Sequence, residues 1–516
     1  MRKWLPLVAV CLGTFMLLID VTIVNVALPD MAVDLKTSFA SLQWVIDIYA
    51  LVLAALLLGG GSLADIAGRR LVYVVGLVVF AIASLLSGLA PNATVLIAAR
   101  GVQGLGAAAM FATTVALLNV SYQRRDRGIA YGIWGAVSAV AAATGPIVGG
   151  LLTEHLSWRW IFFVNLPISA LAIGLALAVF DGGRGEHRVR VDIAGMVTFT
   201  ASASLLTYAF IRAGDAGWSA ASTLGLIALG LLALGCFVMV ERRTPAPMMD
   251  LSLLRDRRFV GTMIVALAFS LCAFSDLAYT SIWLQSVLKL SPVEAGLVFL
   301  PLSVASFVVS AAIGRLLHAA DPRWIVGIGM LAIGAGGCAQ AVLGAGSRWP
   351  ALLGGLLIVG IGVGMVAPTL TAAVMASVPQ RRGGMASGAM NTLRQLGFAF
   401  GIAVLGTTFQ TRVAHVLANH RVPDAARVAT AVSGGQTDSV LRSTPAAQRT
   451  DLVDAIHAAF ASGLNVIFIV AGAVAIAAGV AALVLLRPVT SLRPNTAGSD
   501  ETTSPEQFDP GRAVSH

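Results

Sequence analysis

Five ionisable residues lie within long apolar stretches of the sequence, where an isolated charge is unstable. These residues are Asp20, Asp47, Arg100, Asp276 and Arg394. An ionisable side chain in such a stretch is a candidate for proton transfer or for binding a charged ligand. The alternative is a buried ion pair that only fixes the packing of two helices. Residue type alone leaves both interpretations open.

The apolar stretches that carry these residues make up most of the chain. The sequence has 516 residues, of which 57% are hydrophobic and only 11% are charged, whereas a soluble chain carries roughly 25% charged residues. Apolar runs of about 20 residues, long enough to cross a hydrocarbon core of roughly 30 Å, recur throughout. The sequence therefore predicts an all-α polytopic membrane protein.

Fourteen spans result when the apolar runs are divided at charged residues, prolines and glycines. Their approximate ranges are 4–28, 40–63, 71–90, 94–118, 128–152, 160–180, 192–212, 219–240, 259–285, 293–317, 324–345, 350–375, 385–410 and 461–486. Short cytoplasmic loops collect lysine and arginine. A cytoplasmic N terminus places arginine-rich loops, such as those at Arg69 and Arg242, on the inner side. This alternation predicts an even number of spans with both termini in the cytoplasm.

Two inner loops are similar in sequence and lie eight spans apart. Residues 123–132 are Gln-Arg-Arg-Asp-Arg-Gly-Ile-Ala-Tyr-Gly, and residues 380–388 are Gln-Arg-Arg-Gly-Gly-Met-Ala-Ser-Gly. Two parallel six-span halves separated by two further spans would give this shift and orientation. The predicted divisions are an N-terminal half at 1–180, an inserted pair with cytoplasmic linkers at 181–258, a C-terminal half at 259–487, and a disordered cytoplasmic tail at 488–516.

Residues 411–460 are predicted to form a long outer loop, whose five arginines are tolerable because long loops translocate largely regardless of charge. Polar and apolar residues alternate at helical spacing over 450–461, at the end of this loop. That pattern favours a helix lying on the membrane surface.

The loop after the second span resembles the loop signature of the major facilitator superfamily. It runs Gly61-Ser-Leu-Ala-Asp65-Ile-Ala-Gly68-Arg69-Arg70. The resemblance implies a role in conformational gating for these five numbered residues. A glycine such as Gly61 also permits close helix approach, and the arginines hold the loop inside.

Further motifs resemble those of the fourteen-helix drug:proton antiporters within this superfamily. The segment 18–29 in the first span, Arg100-Gly-Val-Gln103-Gly104-Leu-Gly106 in the fourth and Asn391-Thr-Leu-Arg394-Gln395-Leu-Gly397 in the thirteenth look like this group. Gly145-Pro146-Ile-Val-Gly149-Gly150 in the fifth span is similar to the signature of antiporters. The resemblance therefore covers nearly the whole chain.

The resemblance implies a major facilitator fold and proton-coupled export of drugs or other small amphipathic or cationic molecules across the plasma membrane. A rise of about 1.5 Å per residue places Asp20, Asp47 and Arg100 in the outer half of their spans. If their helices are neighbours, as the family fold implies, Arg100 can modulate a proton carried by Asp20, with Asp47 as an auxiliary carboxylate. Asp276 and Arg394 are then candidates for substrate binding.

The expected partners are a small-molecule substrate, protons and the lipid bilayer, and the expected protein is a monomer without nucleic acid, metal or cofactor. An ATP-driven pump is disfavoured because none of the lysines, Lys3, Lys36 and Lys289, lies in a Gly-x-x-x-x-Gly-Lys-Ser/Thr loop. Enzyme activity is disfavoured because the histidines are scattered. A channel or receptor is conceivable from hydropathy alone. A symporter or uniporter for a metabolite, or an exporter of an endogenous natural product, stays open.

Overall fold

The computed structural model describes residues 2–37, 39–180, 192–245, 247, 249–316, 321–378 and 383–487. Nearly all of the regular structure in these residues is α-helix. The helices are α1 (Leu5–Asp34), α2 (Phe39–Ala67), α3 (Arg69–Gly88), α4 (Ala93–Ser121), α5 (Arg124–His155), α6 (Trp160–Phe163), α7 (Asn165–Val179), α8 (Ile193–Ala216), α9 (Ala221–Arg243), α10 (Arg257–Ile282), α11 (Pro292–Val298), α12 (Leu300–Leu316), α13 (Pro322–Gln340), α14 (Leu353–Ala376), α15 (Gly383–Asn419), α16 (Ala425–Ser433), α17 (Thr437–Ser443) and α18 (Arg449–Leu485). The predicted cytoplasmic tail at 488–516 lies outside the described residues.

Every predicted span overlaps a helix of the described residues. Two of the spans are interrupted, because α6 is separated from α7 and α11 from α12 by a single residue. Ten of the helical segments in the described residues are long and apolar enough to cross a membrane. The prediction of an all-α polytopic membrane protein agrees with these helices.

The end of the chain differs from the prediction at two boundaries. Helix α15 continues to Asn419, beyond the predicted end at residue 410, and α18 begins at Arg449 and runs unbroken to Leu485. Residues 450–461 are therefore the first turns of a long helix, not a separate surface segment. Ile456 and Phe460 on these turns are buried in the protein, which explains the apolar positions at helical spacing.

The buried apolar side chains form three clusters. Two of them consist of residues between 7 and 180, and the third consists of residues between 237 and 486. Helix α9 contributes little to these clusters, because only 17% of its apolar stretch is buried inside the protein. Residues 1–486 nevertheless form one compact unit, and the division into halves at 180 and 259 stays a prediction.

The helices before residue 180 meet those after residue 257 along two lines. Helix α5 meets α12, where Ser310 Oγ donates a hydrogen bond to the Gly132 carbonyl over 3.4 Å. Helix α2 meets α15, and α8 packs beside both of them. On α8, the ring of Tyr208 lies 5.4 Å from that of Trp44 in α2, and the ring of Phe210 lies 4.9 Å from that of Phe400 in α15. Helix α8, the first helix of the predicted inserted pair, therefore bridges the two groups.

Glycines set the distance between neighbouring helices at several crossings. At Gly397 in α15, an added Cβ would overlap the carbonyl oxygen of Leu267 in α10. At Gly235 in α9, an added Cβ would meet no atom within 4 Å. Small residues allow transmembrane backbones to approach closely, so the two glycines should differ in their tolerance of a methyl group.

We expect the Gly397→Ala variant to unfold at a lower temperature than the wild type, because the methyl group forces α10 and α15 apart. Overpacking of this kind costs about 1–3 kcal/mol. Gly235→Ala is the matched control and should be neutral or slightly stabilising, because alanine favours helix over glycine. Thermal unfolding of the purified proteins in detergent measures both. Equal unfolding temperatures for the two variants would contradict the close approach at Gly397.

Candidate functional site

Asp20 of α1 and Arg100 of α4 form an ion pair in the interior of the protein. Nη1 of Arg100 donates to Oδ2 of Asp20, and neither side chain has any solvent exposure. The structure thus brings together two of the residues singled out from the sequence. The side chain of Asp47, on α2, lies outside the described residues.

Two side-chain amides hold the second oxygen of Asp20. Nε2 of Gln103 donates to Asp20 Oδ1 over 2.9 Å, and Nδ2 of Asn165 donates to the same oxygen over 3.0 Å. Both nitrogens also lie within hydrogen-bond distance of Ser84 Oγ, at 2.7 Å from Gln103 and 3.3 Å from Asn165. Ser84, Gln103 and Asn165 are all completely buried. The carboxylate therefore receives hydrogen bonds from two helices, α4 and α7.

Arg100 has further partners besides Asp20. Its Nε donates to the Val45 carbonyl over 3.0 Å, and its Nη1 also donates to Gln103 Oε1 over 2.7 Å. The guanidinium carbon lies 4.3 Å from the centre of the Tyr49 ring and 5.9 Å from that of Phe162. Ring faces attract a guanidinium group. Arg100 is therefore stabilised by two neutral oxygens and two aromatic rings as well as by the carboxylate.

Several buried polar atoms in and beside this site have no hydrogen-bond partner in the described part of the chain. These atoms are Tyr49 Oη, Arg100 Nη2 and Asn165 Oδ1. Most buried polar atoms in proteins are satisfied, and an unsatisfied one costs about 1–3 kcal/mol. These three groups therefore have hydrogen-bonding capacity that the described residues do not use.

Glycines of the motif in α4 explain why Arg100 reaches its partners. A Cβ at Gly104 would lie 2.8 Å from the Tyr49 carbonyl of α2, and a Cβ at Gly106 would lie 2.6 Å from the Phe80 nitrogen of α3. Only glycine permits these approaches. Helix α4 therefore lies close enough to α2 for Arg100 to reach the carbonyl of Val45.

The glycines of the antiporter-like motif bring α5 against α1 beside Asp20. A Cβ at Gly149 would lie 2.8 Å from Ile23 Cγ1, and a Cβ at Gly145 would overlap Thr22. Gly150 is buried as well, while the side chain of Pro146 lies outside the described residues. The motif thus supports the stretch of α1 directly after Asp20.

The gating-like motif forms a turn of one residue between α2 and α3. Gly68 occupies this turn with φ 97°, a conformation that favours glycine. Nη2 of Arg70 donates to the Leu177 carbonyl near the end of α7 over 2.8 Å, which satisfies one of the terminal carbonyls of that helix. Gly61 is buried and Arg69 is half-buried, while the side chain of Asp65 lies outside the described residues. The motif thus ties the α2–α3 turn to α7.

Asp276 and Arg394 lie among the later helices and are not joined to each other. Asp276 in α10 is 6% exposed, and its Oδ1 is buried without a partner in the described residues. The guanidinium of Arg394 in α15 lies 5.3 Å from the centre of the Phe269 ring, and its Nε is also buried without a partner there. Each is therefore an ionisable group with unused hydrogen-bonding capacity.

A second ion pair of α1 contrasts with the buried one. Asp34, the last residue of α1, accepts hydrogen bonds from Arg159 and, over 2.9 Å, from Trp158 Nε1. The hydrogen bond from Arg159, followed by that from Trp158, lowers the pKa of Asp34 below its usual value. The side chain of Asp34 is 48% exposed, so water screens this pair. It joins loop ends and resembles an ordinary surface contact.

An apolar groove of about 580 Å³ lies between the first half of α1 and α5. Leu7, Cys11, Phe15 and Val137 are among its lining residues, and none of the residues that hold Asp20 belongs to it. The polar site and this groove are therefore separate. No cluster of three or more His, Cys, Asp or Glu residues in the described ranges is placed to hold a metal ion.

Three residues of the site have no role assigned from the sequence. Gln103 could have been found, because positions three apart on a helix share a face and Arg100 is three residues earlier. Ser84 and Asn165 gave no such signal, since a serine in an apolar span or an asparagine at a helix start is unremarkable by itself. Their part in the site depends on how α3 and α7 pack.

The comparisons with known proteins cover most of the chain. Residues 10–402 match the family model of the Major Facilitator Superfamily. The multidrug resistance protein Stp of Mycobacterium tuberculosis is 36% identical over 428 residues, 81% of this chain and 79% of that protein. The puromycin resistance protein pur8 of Streptomyces alboniger is 36% identical over 440 residues, 84% of this chain and 87% of that protein.

A third relative and a solved structure extend the match. The tetracenomycin C resistance and export protein of Streptomyces glaucescens is 32% identical over 494 residues, 93% of this chain and 91% of that protein. The crystal structure of the human organic anion transporter MFSD10 aligns with a TM-score of 0.59 over 92% of this chain and 99% of that chain. At 14% identity, this alignment shows the fold alone. The predicted fold class is thereby confirmed.

We expect Arg100→Leu to destabilise the protein strongly, because it leaves the Asp20 carboxylate buried without its cation. Breaking a buried pair costs about 3–5 kcal/mol, whereas replacing both partners by apolar residues is often neutral. The double variant Asp20→Leu/Arg100→Leu should therefore unfold at a higher temperature than Arg100→Leu alone. Arg159→Leu, which breaks the exposed pair, is the control and should change little. Additive losses in the double variant would show that the buried pair is not coupled.

Proposed function

This chain belongs to the major facilitator superfamily, and from that premise we propose that it is a proton-coupled antiporter of drugs or other small amphipathic molecules. The chain is a multi-pass transporter of the plasma membrane that acts on small molecules. The relatives reported above are named for multidrug resistance, puromycin resistance, and tetracenomycin C resistance and export. These names support export of drugs.

The observation that carries the proposal is the buried pair of Asp20 and Arg100. A carboxylate in the membrane-spanning part of a protein is a natural proton carrier, because binding a proton removes a charge that is expensive there. When Asp20 binds a proton, its attraction to Arg100 falls. Arg100 then keeps Gln103 Oε1 and the Val45 carbonyl as acceptors. The ion pair can therefore break while Nε and Nη1 of Arg100 each keep a neutral acceptor.

Breaking the pair weakens a link between α1 and α4. Helix α1 then depends more on its contact with the glycines of α5, Gly145 and Gly149. In an alternating-access cycle the two groups of helices, 1–180 and 259–487, would rock about the seams formed by α2 with α15 and by α5 with α12. Proton binding from outside and proton release inside would then select the two orientations in turn. The protein would act as a monomer.

The later helices supply candidates for the substrate site. Asp276 is buried and has an oxygen without a partner in the described residues. A carboxylate in apolar surroundings is stable as the neutral acid or beside a cation. A lipophilic cation would be stabilised beside Asp276, and Arg394 would contribute a donor for a polar group of the substrate. Cationic amphipathic molecules are therefore the substrates that these residues suit best.

Export of a natural product made by the same cell is a second candidate function. One relative is named for both resistance to and export of tetracenomycin C. The same coupling chemistry would serve either substrate. A symporter is separated from both by the direction of proton movement during transport.

Proton coupling is testable in proteoliposomes with ethidium, a lipophilic cationic dye. We expect an imposed proton gradient to drive ethidium across the membrane against the flow of protons in the wild type. Asp20→Asn should reduce this transport to the level of protein-free liposomes, because the amide takes up no proton. Asp34→Asn, which changes a carboxylate near the exposed end of the same helix, should keep the wild-type rate.

Two outcomes would contradict the antiport proposal. Gradient-driven transport at the wild-type rate in Asp20→Asn would remove Asp20 as the carrier. Movement of ethidium together with protons, recorded by a pH indicator inside the liposomes, would indicate symport.

The role of Asp276 is testable by the binding of ethidium to the purified protein, measured by fluorescence titration. We expect Asp276→Asn to weaken binding by about tenfold or more, equivalent to about 1.4 kcal/mol, because the dye loses its counter-charge. Asp276→Glu should retain most of the affinity. Asp454→Asn, an exposed carboxylate on α18, is the control and should bind as the wild type does. Equal affinities for Asp276→Asn and the control would exclude Asp276 from the cation site.

A further inference from the structure

We propose that Asn165 positions Asp20 in both of its protonation states by reversing its side-chain amide. The inference rests on the proposed proton coupling, in which Asp20 alternates between an ionised and a neutral form. It adds a positioning residue that acts through Asp20 and requires no contact with the substrate.

The present orientation of the amide suits an ionised Asp20. An ionised carboxylate only accepts hydrogen bonds, and Nδ2 of Asn165 donates to its Oδ1 over 3.0 Å. The same nitrogen lies 3.3 Å from Ser84 Oγ, which accepts from it. Asn165 is completely buried at the start of α7. Its donor capacity is therefore used by two neighbours.

The oxygen of the same amide is unused. Asn165 Oδ1 is buried and has no hydrogen-bond partner in the described residues. An unsatisfied buried acceptor is unfavourable. The amide therefore has an acceptor that the present arrangement leaves unused. A neutral Asp20 requires such an acceptor, because its carboxylic acid donates one hydrogen bond.

Rotation of the amide by about 180° about its last side-chain bond places Oδ1 where Nδ2 now lies. Both neighbours of Nδ2 are able to adapt. Protonated Asp20 changes from acceptor to donor, and the hydroxyl of Ser84 donates as readily as it accepts. Asn165 therefore remains hydrogen-bonded to the same two residues in either state of Asp20.

Gln103, the other amide at Asp20, is held in one orientation. Its Oε1 accepts from Arg100 Nη1 over 2.7 Å, and a guanidinium group only donates. Reversal of Gln103 would direct its N–H groups at the N–H groups of Arg100. Asn165 is therefore the amide in this network that is able to respond to a proton.

The charged and titratable groups around Asp20 are few. Arg100 faces it from α4 and Tyr49 lies beside the pair on α2, whereas α3 and α7 contribute Ser84 and Asn165 among the described residues. The stretch of α5 packed against α1 presents glycines. The side chain of Asp47 lies outside the described residues. Among the described side chains, Arg100 is therefore the one permanent charge beside Asp20 and Asn165.

Infrared difference spectroscopy of the purified protein, recorded while the pH is lowered, tests the inference without transport. The carbonyl stretch of neutral Asp20 is identified as the band that disappears in Asp20→Asn. This band lies at a lower frequency when the acid donates a strong hydrogen bond. We expect Asn165→Leu to move it to a higher frequency, because the acid loses its acceptor.

Ser169→Ala is the matched control for packing. Ser169 lies one turn further along α7, is buried and contacts Met16 of α1, so its loss should leave the Asp20 band in place. Asn165→Ala provides the same test with a smaller side chain if the leucine variant does not fold. An Asp20 band at the wild-type frequency in the Asn165 variants would overturn the inference. A shift in Ser169→Ala equal to that in Asn165→Leu would overturn it too, as would the absence of any Asp20 band in the wild type.

The experiment separates the two proposals. Transport that survives in Asp20→Asn would refute the proposed coupling, while the infrared band would still show whether Asn165 accepts the acid proton. An unshifted band together with loss of transport in Asp20→Asn would refute the role of Asn165 alone.

Discussion

The ion pair between Asp20 and Arg100 is the interaction on which the arrangement of the early helices depends. Each charge alone would be strongly destabilising in the interior, and the pair is tolerable only when its remaining donors and acceptors are satisfied. The α2 carbonyl of Val45 and the amides of Gln103 and Asn165 supply partners for all but Arg100 Nη2 among the described residues, and the α3 hydroxyl of Ser84 bonds both amides. The side chains and backbone of five helices thus meet around one ion pair. A change in the charge of Asp20 therefore affects hydrogen bonds on all five helices.

The backbones around the pair approach closely for a separate reason. Gly104 and Gly106 hold α4 against α2 and α3, and Gly149 holds α5 against α1, at distances that a methyl group would prevent. These close contacts fix the backbone positions from which the side chains of Arg100 and Asp20 extend. The same residues that resemble family motifs in the sequence therefore have a direct steric role. The exposed pair of Asp34 and Arg159 lacks such support and joins loop ends in contact with water.

Sequence reasoning was sufficient for the all-helical membrane class, because crossing a membrane demands long apolar helices whatever the tertiary structure, while the number of fourteen spans stays a prediction. It also brought Asp20 and Arg100 to a similar depth, since helical rise is constant. It did not identify Asn165 and Ser84 as residues of the site, because their contacts depend on the rotation of α7 and α3 about their helix axes. It also misjudged 450–461, because an alternating pattern describes a helix on a membrane surface and a helix start packed on other helices equally well. The depth of a residue in its span follows from the local sequence, whereas the orientation of a helix face is set by the neighbouring helices.

The early and late helices differ in how fully their buried carboxyl groups are hydrogen-bonded. The network at Asp20 uses almost every hydrogen bond available to the carboxylate, whereas Asp276 and Arg394 each keep an unpartnered atom in the described structure. Asp20 is paired with a cation inside the protein, whereas Asp276 and Arg394 have atoms that a ligand could bond, so the two tasks of the proposed antiport would fall on different helices. Coupling then requires that motion pass between the groups. Helix α8 contacts Trp44 on one side and Phe400 on the other, and at least one of these contacts must change whenever the two groups move apart.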